Sequence, residues 1–165
     1  NIALMRRAGS RWKPIFGVVH APVTETTWVG GEGLQAKRIS SGSWEPISVR
    51  RDPIGVTRLV ASGSHRNERD EEFANSLGRH ELVRMGSSLK ACSVADGSAD
   101  LYPRFGPTSC WDIAAAHAVV ESSGGLVIGP ECKTLDYDLV DDVLNPFFLV
   151  SSSTNWNEIW VQNQD

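Results

Sequence analysis

The fold is decided by the stretch Ser109-Cys110-Trp111-Asp112-Ile113-Ala114-Ala115-Ala116-His117-Ala118-Val119-Val120-Glu121-Ser122-Ser123-Gly124-Gly125. It predicts one helix, because alanine is the strongest helix former and apolar residues recur at helical spacing. Asp112 is expected to be the N-cap, since its carboxylate can accept the free N–H groups of the first turn. Gly124 and Gly125 are expected to end the helix, because glycine readily adopts the left-handed conformation found there. The sequence therefore places a carboxylate at the positive end of a helix, where phosphate is also favoured.

The composition is that of a globular protein. The 165 residues are 41% hydrophobic and 22% charged, and they are enough for one domain with a core. The net charge of -4 gives no electrostatic argument for binding duplex nucleic acid. No apolar run approaches the roughly 18 residues of a membrane span. Three cysteines without a C-x-x-C motif indicate free thiols, so we expect a cytoplasmic protein.

The first fifty residues predict an antiparallel meander. Strands are expected from Ile2 to Met5, from Pro14 to His20 and from Thr26 to Val29, with a turn from Arg6 to Lys13. The connections are too short for crossover helices, which parallel strands would need. A polar surface linker is expected from Ser40 to Asp52.

Strands alternate with helices in the rest of the chain, which is typical of an α/β layer. The predicted fold class is therefore α/β (α+β), with an N-terminal meander followed by a mixed α/β layer. We expect antiparallel strands in residues 1–50, an α/β domain in residues 51–151 and a polar tail in residues 152–165.

Two predicted loops connect a strand to the start of a helix, a common position for ligands in α/β sheets. The first contains Ser64 and His65, and the second reads Gly86-Ser87-Ser88-Leu89-Lys90. Glycine lets a backbone come close to a ligand, while hydroxyls and N–H groups suit phosphate. The simpler alternative is a pair of capped helices with His65 and Lys90 in solvent.

Arg104 and Asp112 also have a structural and a functional interpretation. An arginine at a strand end can form a two-pronged contact with phosphate, although a lone arginine is more often a surface charge. Asp112 by itself is most simply a helix cap.

The sequence around these residues resembles that of the inositol monophosphatase superfamily. Trp111-Asp112-x-Ala-Ala followed by Glu121-x-x-Gly-Gly is similar to its C-terminal signature. Leu101-Tyr102-Pro103-Arg104-Phe105-Gly106-Pro107-Thr108, Gly86 to Lys90, and Asn145-Pro146-Phe147 resemble the CysQ branch, whose members are 3'(2'),5'-bisphosphate nucleotidases. The resemblance extends from Ile2 to about Ser151 and implies part of a layered α-β-α-β-α phosphatase fold.

The resemblance implies an enzyme that uses Mg²⁺ to remove the 3'-phosphate of adenosine 3',5'-bisphosphate, giving AMP. It makes Asp112 a metal ligand and catalytic residue. The remaining implied or candidate residues would hold the nucleotide, and they are Ser64, His65, Gly86, Ser87, Ser88, Lys90 and Arg104. An inositol monophosphatase and a nucleotide-binding module without turnover remain the alternatives.

The other metal ligands of the family have no match in this sequence. Asp52-Pro53-Ile54-Gly55-Val56-Thr57 resembles the second signature, Asp-Pro-Ile-Asp-Gly-Thr, but Gly55 replaces its second aspartate. The segment also follows the antiparallel strands, whereas the family's motif precedes them, so we interpret it as a linker. One carboxylate cannot hold the metals of such a site. We therefore expect the C-terminal portion of an enzyme, inactive alone, whose partner is the N-terminal portion.

Overall fold

The computed structural model describes residues 1–51, 55–62 and 68–164. The strands are β1 (Ile2–Ala8), β2 (Arg11–Ala21), β3 (Thr26–Gly31), β4 (Lys37–Ser40), β5 (Ser43–Pro46), β6 (Thr57–Ala61), β7 (His80–Arg84), β8 (Leu101–Arg104), β9 (Leu126–Ile128) and β10 (Phe148–Ser151). The helices are α1 (Glu68–Ser76), α2 (Leu89–Ala95), α3 (Cys110–Ser122) and α4 (Asn157–Gln162). Short 3₁₀ turns occupy Pro130–Cys132 and Thr154–Trp156.

The first sheet is an antiparallel meander in the order β1-β2-β3-β4-β5. The predicted turn from Arg6 to Lys13 is wrong, because β1 continues to Ala8 and β2 already begins at Arg11. A two-residue turn containing Gly9 (φ 66°) is sufficient to join them.

Strand β5 lies inside the segment that was expected to be a linker. All four of its residues are exposed, so it lacks the apolar alternation by which a strand is recognised. It is joined to β4 by Ser41 and Gly42, both with positive φ, as the favoured two-residue hairpin turn requires.

The second sheet is mixed, with the order β7-β6-β8-β10-β9. Strand β6 is parallel to both of its neighbours, β7 and β8. Strand β10 is antiparallel to β8 and to β9. The three parallel strands therefore end at the same edge of the sheet.

Helices α2 and α3 form a layer between the two sheets. Helix α3 contacts β2 and β3 on one side and β9 on the other, while α2 contacts β8 and β10. Helices α1 and α4 contact each other, and α1 also contacts β8. Their apolar side chains belong to a second core cluster on the far face of the second sheet. The layers confirm the predicted mixed α/β fold class.

Helix α3 lies unusually close to the first sheet because glycines face it. A Cβ added to Gly17 would lie 2.0 Å from the carbonyl oxygen of Ala115. One added to Gly30 would lie 2.0 Å from Oγ of Ser122. The glycines of β2 and β3 therefore set the distance between helix and sheet.

The C-terminal segment, predicted as a polar tail, contains α4 and packs against the rest of the chain. Trp160 is fully buried and donates a hydrogen bond from Nε1 to the carbonyl oxygen of Gly129, at 3.0 Å. Among the residues described, no helix is both long and apolar enough to cross a membrane.

Candidate functional site

A cleft of about 360 Å³ lies where β6, β7 and β8 end and where α3 begins. It is lined by Asn1, Ser62, Gly86, Ser87, Ser88, Lys90, Tyr102, Arg104, Pro107, Thr108, Asp112, Ile113 and Phe148. Every predicted site residue that the structure describes is in this set. The parallel order of the three strands explains why segments distant in sequence meet here.

Lys90 is buried in the wall of the cleft, with only 6% of its surface exposed. Its Nζ donates a hydrogen bond to the carbonyl oxygen of Ser87 at 2.8 Å and lies 5.1 Å from the centre of the Tyr102 ring. Burial, and then the positive charge of Arg104, lower the pKa of Lys90 below that of an ordinary lysine. The alternative of a solvated lysine is therefore wrong.

Arg104 lies at the last position of β8, where its side chain is held from the loop that follows. Its Nη2 donates to the carbonyl oxygen of Pro107 at 3.1 Å. Its guanidinium lies about 3.5 Å from the position that a Cβ on Gly106 would occupy, which is ordinary van der Waals contact. Within the described part of the chain, its buried Nε has no hydrogen-bond partner.

Neither cation is neutralised by a carboxylate of the described residues. The ion pairs found there involve other arginines, lysines and histidines. Lys90 and Arg104 thus present two positive charges to one cleft, together with the single carboxylate of Asp112. Two adjacent unpaired cations favour an anionic ligand.

Tyr102 is a site residue that the sequence analysis did not single out. Its ring lies beside the Lys90 ammonium and meets Phe148 edge to face, with ring centres 5.8 Å apart. Burial raises the pKa of Tyr102 to about 12, so its hydroxyl stays neutral. The signal for this residue was its position two before Arg104, because alternate residues of a strand share one face.

Asp112 is the third residue of α3 and not its N-cap, which corrects the prediction. Ser109 is the N-cap, in extended conformation, and the two residues form a capping box. Oδ2 of Asp112 accepts the backbone N–H of Ser109 at 2.8 Å. The expected carboxylate is thus at the helix start, displaced by one turn from the predicted position.

The loop that precedes α2 is fully described, whereas the loop that precedes α1 is described only in part. Ser64 and His65 lie outside the described residues, although Ser62 just before them lines the cleft. Ser88 donates from Oγ to Oδ1 of Asn1 at 3.1 Å, and Ser87 has a positive φ of 55°. Asp52, Pro53 and Ile54, from the sequence interpreted as a linker, also lie outside the described residues, in a separate gap.

The described residues do not by themselves fit a magnesium site. Asp112 is the only carboxylate among the residues that line the cleft, and one of its oxygens already accepts a backbone hydrogen bond. Over residues 1–51, 55–62 and 68–164, no group of three or more His, Cys, Asp or Glu could hold a metal ion. Magnesium requires near-octahedral oxygen ligation, which one carboxylate does not supply.

Comparison with known proteins gives the same family by sequence and by structure. Residues 1–159 match the model of the inositol monophosphatase family. The chain is 43% identical to the 3'(2'),5'-bisphosphate nucleotidase CysQ of Salmonella typhimurium over 153 residues. Identity to the nucleotidase CysQ of Escherichia coli strain K12 is 44% over 153 residues. Each match covers 92% of this chain and 58% of the relative.

Two solved structures have similar folds. CysQ from Bacteroides thetaiotaomicron superposes with a TM-score of 0.77 at 31% identity, over 86% of this chain and 62% of that one. The inositol monophosphatase from Zymomonas mobilis has a TM-score of 0.72 at 19% identity, over 92% of this chain and 57% of that one. This chain therefore spans a little over half the length of the proteins that it matches.

Proposed function

Because this chain belongs to the inositol monophosphatase family, we propose that it forms the nucleotide-binding portion of a 3'(2'),5'-bisphosphate nucleotidase. The complete enzyme would remove the 3'-phosphate of adenosine 3',5'-bisphosphate to give AMP and phosphate. The proposal is carried by one observation, the two cations Lys90 and Arg104 in a single cleft, neither of which has an ion-pair partner among the described residues. It is supported by the identity of the chain to nucleotidases of the CysQ type.

The two cations suit a ligand with two phosphates. A monoester such as inositol phosphate carries one phosphate, whereas adenosine 3',5'-bisphosphate carries a second one that also needs neutralisation. Lys90 is fixed by Ser87 and Tyr102, and Arg104 is fixed by Pro107, so neither side chain has to be ordered on binding. Preorganised charged donors of this kind give strong contacts with phosphate.

In this proposal the hydroxyls and polar groups of the cleft orient the nucleotide. Ser87 and Ser88 lie beside Lys90, and Ser62 leads toward Ser64 and His65, which we propose to contact the nucleotide as well. The neutral hydroxyl of Tyr102 can donate a further hydrogen bond without adding charge. These residues bind and align the substrate, and none of them is a nucleophile.

Asp112 is proposed to be the contribution of this chain to a Mg²⁺ site. Its Oδ2 is fixed by the Ser109 N–H, so the carboxylate is held at the wall of the cleft. The further carboxylates would come from polypeptide outside this sequence. A nucleotide-binding module without turnover is the second candidate, and the single carboxylate of the cleft favours it.

The first sheet offers a surface for that further polypeptide. Ala3, Val19 and Trp28 face α3, so their strand neighbours face the other way. The outward side chains Ile2, Leu4 and Trp44 are 69%, 57% and 62% exposed. Exposed apolar side chains thus lie on both edge strands of this sheet, β1 and β5. We propose that the remaining portion of the nucleotidase covers this face.

Calorimetric titration of the full chain with adenosine 3',5'-bisphosphate tests the binding function. Lys90→Ala and Arg104→Ala should each weaken binding by about 1.5–3 kcal/mol, the range for hydrogen bonds to charged groups. Inositol 1-phosphate should bind more weakly than the bisphosphate and should lose less in at least one variant. Arg79→Ala removes an exposed cation outside the cleft and is the control. Undetectable binding, or equal losses in all three variants, would contradict the proposal.

A further inference from the structure

The end of β8 carries different chemistry on its two faces. Arg104 pairs with Phe148 of β10, and both line the cleft. Phe105 and Phe147 are the next residues outward, and alternation turns them to the opposite face. There they belong to the core cluster formed with α1 and α4. The phosphate-facing arginine thus has an aromatic pair directly behind it.

Arg69 of α1 packs against this aromatic pair. Its guanidinium carbon lies 4.8 Å from the centre of the Phe105 ring and 5.2 Å from that of Phe147. Such stacking of a cation on an aromatic face is favourable, and more so when it is shielded from water. Arg69 therefore holds together the two aromatic residues that flank the end of the β8–β10 pair.

The C-terminal segment holds Arg69 in turn. Nη2 of Arg69 donates to the backbone carbonyl oxygens of Gln164 at 2.7 Å and Asn163 at 3.3 Å, just beyond α4. Trp160 of α4 stacks on Phe105 with ring centres 5.2 Å apart. Asn163 also donates from Nδ2 to Oγ of Ser76 at 3.2 Å, which ties the segment to α1.

We infer that Arg69 is a positioning residue for phosphate binding, which fixes the end of β8 through Phe105 so that Arg104 faces the cleft. The C-terminal segment from Thr154 to Gln164 serves to fix Arg69. Backbone pairing with β10 ends at Arg104 and resumes only with the hydrogen bond from Asn145 N–H to the carbonyl oxygen of Thr108, so the contacts behind Phe105 restrain the strand between these points. This inference rests on the proposed function and names a residue outside the cleft that sets its affinity.

A double-mutant cycle on binding of adenosine 3',5'-bisphosphate tests the inference in the full chain. Arg69→Leu should weaken binding by about three- to tenfold, toward the lower end of the couplings found between neighbouring residues. In the Arg104→Ala background the same change should have no further effect, because Arg69 acts through Arg104. Arg69→Lys should restore part of the loss. Arg79→Leu removes the same charge from an exposed site and is the matched control.

A measurement without ligand separates this inference from the proposed function. The Nε–Hε signal of Arg104 in a ¹⁵N spectrum, identified by its loss in Arg104→Lys, should shift or broaden in Arg69→Leu and stay unchanged in Arg79→Leu. If Arg69→Leu does not fold, a chain ending at Gln162 replaces it in this measurement. That chain lacks both carbonyl oxygens that accept from Arg69, and the signal of Arg104 should shift in it as well. An unchanged signal, or additive losses in the cycle, overturns the inference even where the bisphosphate binds. Absence of bisphosphate binding with a shifted signal overturns the proposed function alone.

Discussion

Lys90 has its positive charge in surroundings that oppose it. It is almost fully buried, it lies near a second cation, and its direct contacts are a carbonyl oxygen and an aromatic face. Among the described residues, the Asp112 carboxylate offsets this only in part, and a bound phosphate would supply further negative charge. The residue is therefore the most sensitive reporter of whether an anion occupies the cleft.

The lowered pKa of Lys90 predicts that the affinity for the bisphosphate decreases at alkaline pH. Burial, and then Arg104, lower this pKa, so Lys90 loses its proton at a lower pH than an ordinary lysine. Since only the charged form neutralises phosphate, affinity should be full below the lowered pKa and fall as the pH rises through it. Calorimetry from neutral pH to the ordinary pKa of lysine measures this change.

The control for that titration is Lys90→Arg, whose guanidinium remains charged over the whole range. Its affinity should stay nearly flat where that of the parent falls. A parent that binds equally well throughout would show that Lys90 is not a phosphate ligand.

For individual residues, the sequence predicted which ones line the cleft better than it predicted their burial and contacts. Gly86, Ser87, Ser88, Lys90, Arg104 and Asp112 all line one cleft, as loops at strand ends and helix starts indicate. The burial of Lys90 on α2 could not be predicted, because it depends on the ring of Tyr102 on β8. The N-cap was assigned to Asp112 because an aspartate is favoured there, whereas a capping box uses Ser109 as well.

Among the elements, α3 illustrates what local patterns can predict. Its alanines, its acidic start and Gly124 (φ 91°) are all local signals, and the predicted helix is confirmed. Strand β5 and helix α4 carry weaker signals. All residues of β5 are exposed, so its pairing with β4 defines this strand. Helix α4 spans only Asn157–Gln162, and the packing of its buried Trp160 stabilises it.

The contact between β2 and α3 predicts a severe effect of one methyl group. Gly17→Ala would place a Cβ 2.0 Å from the carbonyl oxygen of Ala115, a backbone atom that cannot rotate away. We expect the free energy of unfolding to fall by about 1–3 kcal/mol or more, as for overpacked cores. Urea denaturation of the full chain measures the loss.

Gly86→Ala is the matched control for stability, because a Cβ at Gly86 meets no atom of the described residues within 4 Å. It should change the free energy of unfolding much less than Gly17→Ala. Similar values for the two variants would show that helix α3 does not approach the sheet as closely as described.

For the molecule as a whole, two features are consistent with the proposal that further polypeptide completes the enzyme. The first sheet exposes the apolar side chains Leu4 and Trp44, and among the described residues that line the cleft there is a single carboxylate, Asp112. The family resemblance predicted the fold class correctly. The exposed face could not be predicted from the sequence, because its apolar side chains Leu4 and Trp44 depart from the apolar and polar alternation of a strand with one solvated face.

The ligand count predicts that this chain alone has no Mg²⁺-dependent phosphatase activity. Purified chain with adenosine 3',5'-bisphosphate and Mg²⁺ should release no phosphate above the buffer control, since one carboxylate cannot complete the site. Addition of the separately expressed N-terminal portion of a CysQ relative should restore activity, and Asp112→Asn should abolish it again. Turnover by the chain alone at the rate of a full-length relative would contradict this prediction.

The capping box formed by Ser109 and Asp112 has a consequence for how such sequences are recognised in genomes. Asp112 stabilises the start of α3 whether or not any reaction takes place, so natural selection for folding alone is enough to retain it. A descendant without turnover would keep the Trp-Asp signature after its other metal-binding carboxylates had been replaced by other residues. Surveys that count enzymes by this signature therefore count folded chains, and the carboxylates with no part in folding are the ones that distinguish the active members.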